Sequence, residues 1–270
     1  MAYIKAYWNE KEERAEQAKR HTEEMEKVYG KEIQESIKNT VFYLLDFESE
    51  KFQNEKEVPC GNCEIKVEAQ DSVTAILNYA GKNRTAVLNF ASYKNPGGMF
   101  INGSKAQEEC LCHESFLYNV LSQFVPQFYS WNNKNKNRAL YLNRGVYSPD
   151  IVFCREGKSV LCDVITCAAP NKSAAKRYQH VSDKENTSVL RSRIQFVLDI
   201  ARDNQVKTLI LGAYGCGVFG QDAKEVASIF KEFLATTYHC FACVVFAVPK
   251  GKDKNLEAFE QVFKKSGNGV

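Results

Sequence analysis

No apolar run in this chain reaches the ~18 residues that a membrane-crossing helix needs, so a helical membrane span is excluded. The apolar core of a secretion signal is missing as well, because Met1–Ile4 gives way at once to a long, densely charged stretch. Charge of one sign is scarce: the formal net charge of +3 is too small to argue for nucleic-acid binding. No Gly-Lys-Ser/Thr follows the glycine-rich stretch Gly215–Gly220, which excludes a P-loop nucleotide site there. Neither an internal repeat nor a low-complexity linker interrupts the 270 residues. One domain over 1–270 is expected, with 1–40 as an N-terminal helical extension.

Cysteine is plentiful, but regular spacing is not. The ten cysteines lack a disulfide-framework pattern, and Cys162, Cys167, Cys240 and Cys243 lie in apolar, strand-like runs. With no secretion signal, a reducing, cytoplasmic compartment is expected. Of the Cys-x-x-Cys pairs, Cys60–Cys63 has the form of a zinc knuckle, whereas Cys240–Cys243 begins an apolar strand whose successive residues face opposite ways. No metal and no cofactor is expected.

The hydrophobic pattern predicts alternating strands and helices. Residues 9–38 carry sparse apolar positions (Ala15, Ala18, Met25, Val28, Ile33, Ile37) at helical spacing, with a break expected at Gly30. A helix packed along one side of the domain is favoured over one that binds a partner. Strands are expected at Val41–Leu45, Glu64–Glu68, 85–90, 151–153, 160–166, 206–212 and 241–248. Helices are expected at 72–79, capped by Asp71 or Ser72, and at 105–122, 184–203, 222–238 and the C-terminus. Asn132–Asn137 reads as a polar surface loop and 168–182 as a long loop. Strands alternating with helices imply a three-layer α/β/α mixed sheet.

The chemistry-bearing stretch is residues 89–109. The apolar strand Ala86-Val87-Leu88 delivers a polar Asn89, then a loop with Gly97, Gly98 and Gly103, then a helix opening on Gln107-Glu108-Glu109. Glycines let backbone N–H groups approach a phosphate, and a helix start favours an anion. Carboxylates beside such a cradle suggest acid–base chemistry on a phosphorylated sugar. Adjacent helical residues diverge by roughly 100°, so the glutamates are expected to do different work. Taken alone, acids in a first helical turn are commonplace. His113, at i+4 from Glu109, is read as a helix-surface residue before a base, and Cys216 as a small residue among glycines before a reactive thiol.

A second loop, Gly215-Cys216-Gly217-Val218-Phe219-Gly220, spells G-x-G-x-x-G between a strand and a helix. A Rossmann dinucleotide site is the rival reading, but the following strand ends in Pro249-Lys250 where that site needs an acid. Two glycine loops leaving the C-terminal ends of strands can instead hold one diphosphate between them.

Gly97-Gly98-Met99, followed after seven residues by Gln107-Glu108-Glu109, resembles the signature of the poly(ADP-ribose) glycohydrolases, most closely the microbial type. The blocks Gly145–Asp150, Asp163–Asn171 and Gly212–Gly220 are similar to further blocks of that family, in the same order. The resemblance implies a macrodomain-like fold and release of ADP-ribose from ADP-ribose polymer or an ADP-ribosylated macromolecule, by a monomer. The alternatives are a mono-ADP-ribosyl-protein hydrolase and an ADP-ribose-binding module without turnover. By the same resemblance Glu109 would be the catalytic acid/base and Glu108 would hydrogen-bond the leaving ribose. Asn89 and Asn95 would hold hydroxyls of the ribose under attack, and Phe219 would pack near that ribose. Ala91, Gly97, Gly98, Met99, Gln107, Gly215, Cys216, Gly217, Val218 and Gly220 complete the implied substrate-binding set. Met99 stands where the family pattern has a third glycine, and the loop is expected to be reshaped there.

Overall fold

The computed structural model describes residues 2–45, 47 and 63–264; Cys60 of the possible zinc knuckle lies outside them. Among the described residues seven strands form one mixed sheet in the order β1-β4-β5-β3-β6-β7-β2. These are β1 Val41–Tyr43, β2 Glu64–Glu68, β3 Thr85–Phe90, β4 Gly145–Arg155, β5 Lys158–Cys167, β6 Thr208–Leu211 and β7 Cys243–Ala247. β5, β3, β6, β7 and β2 run parallel, while β4 is antiparallel to both β5 and β1.

The central strands are buried on both faces, and their residues divide by alternation. Ala86, Leu88, Leu209, Leu211, Val244 and Phe246 join one core with α7 (Asp183–Asp203), α8 (Ala223–Thr236) and α9 (Asn255–Phe263). Val87, Ile210 and Val245 face the other way. That second core is covered by α1 (Ala2–Asn39), α2 (Ser72–Tyr79), α3 (Gln107–His113) and α4 (Leu117–Ser122). The sandwich of helices around a mixed sheet is the expected architecture.

α1 breaks its helical geometry at Tyr29 (φ −119°, ψ 25°), one residue before the expected Gly30. The kink rephases the apolar stripe: Ala18 and Ile33 are buried, Tyr29 packs against the core, and Val28 is 60% exposed. Polar contacts tie the helix down. Arg14 Nε donates to Gly103 O (2.8 Å), a ring nitrogen of His21 meets Ser115 O (2.9 Å), and Ser36 Oγ donates to Pro149 O (2.6 Å).

Several local expectations are corrected by tertiary hydrogen bonding. The helix expected over 105–122 is split into α3 and α4, because Ser115 leaves the helix to bridge Phe153 and Glu114 O accepts Cys154 N (2.8 Å). The short strand expected near 151–153 belongs to the eleven-residue β4, whose register shifts between Ser148 and Ile151, where Asp150 has φ 55°. That irregularity hides the strand from a period-two reading. The expected loop 168–182 contains α6 (Lys172–Gln179), capped by Asn171 Oδ1 on Ala174 N (3.0 Å); it buries only Ala175, so no apolar stripe announces it. Asn132 is also no surface residue. It sits fully buried in α5 (Ser130–Lys134) and donates to Tyr93 O at 2.9 Å.

Candidate active site

Both glycine loops leave the C-terminal ends of paired neighbours, one after β3 and one after β6. They therefore rim the crevice that open parallel sheets offer to ligands. Asn89, the penultimate residue of β3, is fully buried on the face that carries α3. Its Nδ2 donates to Glu108 Oε1 (3.2 Å) and to Thr166 Oγ1 on β5 (3.3 Å), and its Oδ1 is buried with no donor.

Glu108 and Glu109 are 3% and 6% exposed, so this first turn is no solvated decoration. Glu108 Oε2 accepts the Ser92 N–H at 2.6 Å. Glu109 instead spans the loop and the helix start, with Oε1 accepting Met99 N (2.9 Å) and Oε2 accepting Ala106 N (3.1 Å). The expected difference in partners is present, yet the side chains converge. A Cβ on Gly98 would lie 2.6 Å from Glu109 Oε1 and 2.9 Å from Glu108 Oε2. Gly98 (φ 61°) and Gly97 (φ 62°) occupy the left-handed region, and a Cβ on Gly97 would strike the Tyr118 ring at 2.8 Å. These two positions require glycine on both counts.

Met99 does not. It sits at φ −114°, ψ 31°, which any L-residue adopts, so the backbone at this position makes no demand for glycine. Its side chain is 42% exposed at the rim. Gly103 is likewise not presented to a ligand: a Cβ there would lie 2.0 Å from Lys11 O, so this glycine admits the backbone of α1. Gln107 is spent as a brace. Its Oε1 accepts Phe90 N (2.8 Å), and its Nε2 donates to Leu88 O (2.9 Å) and Ser72 Oγ (3.0 Å), fixing the end of β3. Ala91 is buried and its N–H is taken up by Asn89 O (2.8 Å), while the Asn95 side chain is exposed on the loop.

In the second loop Gly215 (φ 74°) packs on Ala169, and Gly220 (φ 70°) abuts Ser173 of α6, whose N–H donates to Phe219 O at 3.0 Å. A Cβ on Gly217 would meet nothing within 4 Å, and Val218 is 89% exposed, so the tip of this loop is open. Phe219 lies edge-on to Tyr141 (6.0 Å), itself stacked on Tyr93 (4.3 Å).

Comparison with known proteins decides the family. The model of the microbial-type PARG catalytic domain matches residues 9–156. The chain belongs to the microbial-type poly(ADP-ribose) glycohydrolases. Poly(ADP-ribose) glycohydrolase from Thermomonospora curvata is 29% identical, with a TM-score of 0.85 over 93% of this chain and 100% of that one. The same protein bound to the inhibitor ADP-HPD gives 30% identity and a TM-score of 0.80 over the same shares. The Deinococcus radiodurans enzyme in complex with ADP-ribose gives 30% and 0.77, over 86% of this chain and 97% of that one. No curated protein sequence matches. Among the described residues no helix is long and apolar enough to cross a membrane.

Membership in a glycohydrolase family disposes of the Rossmann reading of 215–220. Burial pushes the Cys216 thiol up to about 12, which opposes the thiolate that a reactive cysteine needs. His113 packs edge-on against Phe100 (4.6 Å), and burial lowers its pKa, so a partly buried packing residue replaces the expected surface one. Asp71 caps α2 through Val73 N and Thr74 N and pairs with Arg155 at 2.9 Å. Burial opposes its charge, but Arg155 and Thr74 prevail and hold the carboxyl below its ordinary value.

Sequence reasoning missed Thr166 and Ser92, which hold Asn89 and Glu108, and the stacking of Arg144 on Phe128 and Trp131. The aromatic density at 124–131 was the available signal.

Burial raises the Glu108 pKa from 4.5 to about 8; the Ser92 N–H and Asn89 oppose this, and the nearby Glu109 charge adds to it. The fold therefore retains this proton at neutral pH. A raised carboxyl pKa stabilises the fold fully below the unfolded value, and that contribution disappears as pH climbs through the folded value. Glu108→Gln should flatten the fall in stability between pH 4.5 and about 8. Urea midpoints measured across that range check this, and an unchanged slope would place the proton elsewhere.

Proposed function

We propose that the chain hydrolyses the O-glycosidic ribose bond of poly(ADP-ribose) by acid–base catalysis at the buried carboxylate pair. The carrying observation is the convergence of Glu108, Glu109 and the unpaired Asn89 Oδ1 beneath a glycine loop. A buried acceptor without a donor is costly, and a ribose hydroxyl supplies that donor. Glu109 protonates the oxygen leaving the anomeric carbon. The oxocarbenium-like centre is then attacked by water, whose proton returns to Glu109. Glu108 holds the leaving ribose through the proton that burial maintains on it. The open tip at Gly217–Val218 and the loop at Gly97–Gly98 hold the diphosphate between them, and Phe219 on Tyr141 borders the ribose. Chemistry of this type needs no metal or cofactor.

The substrate is ADP-ribose polymer or an ADP-ribosylated macromolecule, handled by a cytoplasmic monomer, with free thiols such as Cys112 and Cys162 in keeping with a reducing compartment. We further propose that the chain is one catalytic unit, since α1 supports the loop at Gly103. Incubation with labelled polymer should release free ADP-ribose. ADP-ribose at ~100 times its Kd should raise Tm by about 5–10 °C. Binding of ADP-ribose without any release from polymer would reduce the chain to a binding module.

A further inference from the structure

Arg144 precedes β4 and is only 6% exposed, yet among the described residues no carboxylate, carbonyl or hydroxyl accepts from its guanidinium. Its Nε is sealed without a partner. The guanidinium instead lies over Trp131 at 4.1 Å and Phe128 at 5.2 Å. The other buried cation among the described residues, Arg193, donates to Asn143 Oδ1 and to Ala168 O. Stacking on aromatic faces offsets only part of the loss of water around a guanidinium, and an anionic partner is the ordinary remedy.

The register places this cation beside the reacting centre. Asn89 pairs with Thr166, and Thr166 pairs with Val146, so the three form one row across β3, β5 and β4. Val146 belongs to the core on the α3 face, whereas a Cβ on Gly145 would point at Ile200 and Phe196 of α7. Arg144 therefore shares the face of Asn89 and Glu108, one step nearer the loop end of the sheet. Two strand spacings, ~10 Å, separate its column from that of β3. Along the sheet the order is β6, β3, β5, β4. The second glycine loop lies on the β6 side of the carboxylates and Arg144 on the opposite side.

We propose that Arg144, held over the Trp131 ring, binds a phosphate of the ADP-ribose unit whose ribose leaves when the bond is cut. This inference rests on the hydrolytic reading above. If the glycine loops hold the diphosphate of the released unit, the rest of the polymer must exit across β5 and β4. The leaving alcohol carries its own phosphate about one nucleoside away, which is the span available. A guanidinium already oriented by aromatic rings presents a fixed fork to phosphate oxygens.

The test uses two substrates with the same ADP-ribosyl group, linked either to the 2′-oxygen of adenosine or to the 2′-oxygen of 5′-AMP. The wild-type kcat/KM should be about tenfold higher for the AMP compound, the effect of one charge-assisted hydrogen bond. In Arg144→Met that ratio should fall to about one, with the adenosine compound and free ADP-ribose affected less than about twofold. Arg144→Lys, which keeps charge but loses the planar fork, should retain part of the ratio. An unchanged ratio in Arg144→Met overturns the proposal, and so does equal loss on both compounds, which would mark a structural role. Loss of free ADP-ribose affinity overturns it too, by assigning Arg144 to the released unit. Should the wild-type protein cleave neither compound, the hydrolytic reading falls. Calorimetric binding of the same pair with and without Arg144→Met then decides the subsite, and equal affinities overturn it.

Discussion

Gly98→Ala should lower kcat/KM by about 100-fold while the protein remains folded. The added Cβ would lie 2.6 Å from Glu109 Oε1 and 2.9 Å from Glu108 Oε2, closer than real Cβ contacts come. The residue also sits at φ 61°, where an L side chain costs roughly 1–2 kcal/mol. A carboxylate at the end of a mobile side chain would normally swing aside. Here each is pinned by two hydrogen bonds, Glu108 by Asn89 and Ser92, and Glu109 by Met99 and Ala106. Relief of the clash must therefore displace one of the groups proposed to do the chemistry, or turn over the loop that holds them. The loss should exceed what destabilisation alone explains, with Tm lower by only a few degrees. Gly217→Ala is the comparison: nothing lies within 4 Å of its Cβ position, so Tm should not move. Any rise in KM there reports the approach of ligand to the open tip. Wild-type turnover in Gly98→Ala would show that the carboxylates do not act where they are held.

The parts of the site that could be read from sequence are those whose chemistry is local. Gly97, Gly98 and the pair Glu108-Glu109 lie within one short stretch, and their spacing carried the family resemblance. The unbroken apolar run Ala86-Val87-Leu88 likewise foretold a central strand, because both faces of β3 are buried. Three things were illegible because their causes are remote. Gln107 belongs to the same motif, yet its amide is consumed by Phe90, Leu88 and Ser72, a brace that no linear reading reveals. Asn132 looks like the start of a polar loop until Tyr93 O, thirty-nine residues away, turns up as its acceptor. Arg144 stands alone in sequence and becomes informative only once Trp131 is found beneath it and its buried Nε is left without an acceptor. At Met99 the motif misled in the other direction: the family glycine suggested a demand for positive φ that the backbone does not make.

Glu109→Gln should reduce turnover of polymer by ~10²–10⁴, the usual contribution of a positioned acid/base. The substitution is less conservative here than its size suggests. Glu109 accepts a backbone N–H on each oxygen, from Met99 at 2.9 Å and from Ala106 at 3.1 Å. An amide offers one oxygen, so its NH2 group must face one of those donors. That mismatch should cost about 1–3 kcal/mol, the penalty for leaving a buried donor unmade, and lower Tm by several degrees. Glu108→Gln differs, because Asn89 can turn its amide and bring the unpaired Oδ1 toward the new donor. Stability should therefore separate the two variants even where activity falls in both. Adding ADP-ribose tests whether the Glu109 loss is chemical. If the carboxylate acts mainly in the transition state, affinity for the product should stay within a few-fold of wild type, whereas kcat collapses. A Glu109→Gln protein that binds ADP-ribose and cleaves polymer at the wild-type rate would move the acid/base role to another group. Glu108, whose proton burial retains to about pH 8, would then be the first to examine.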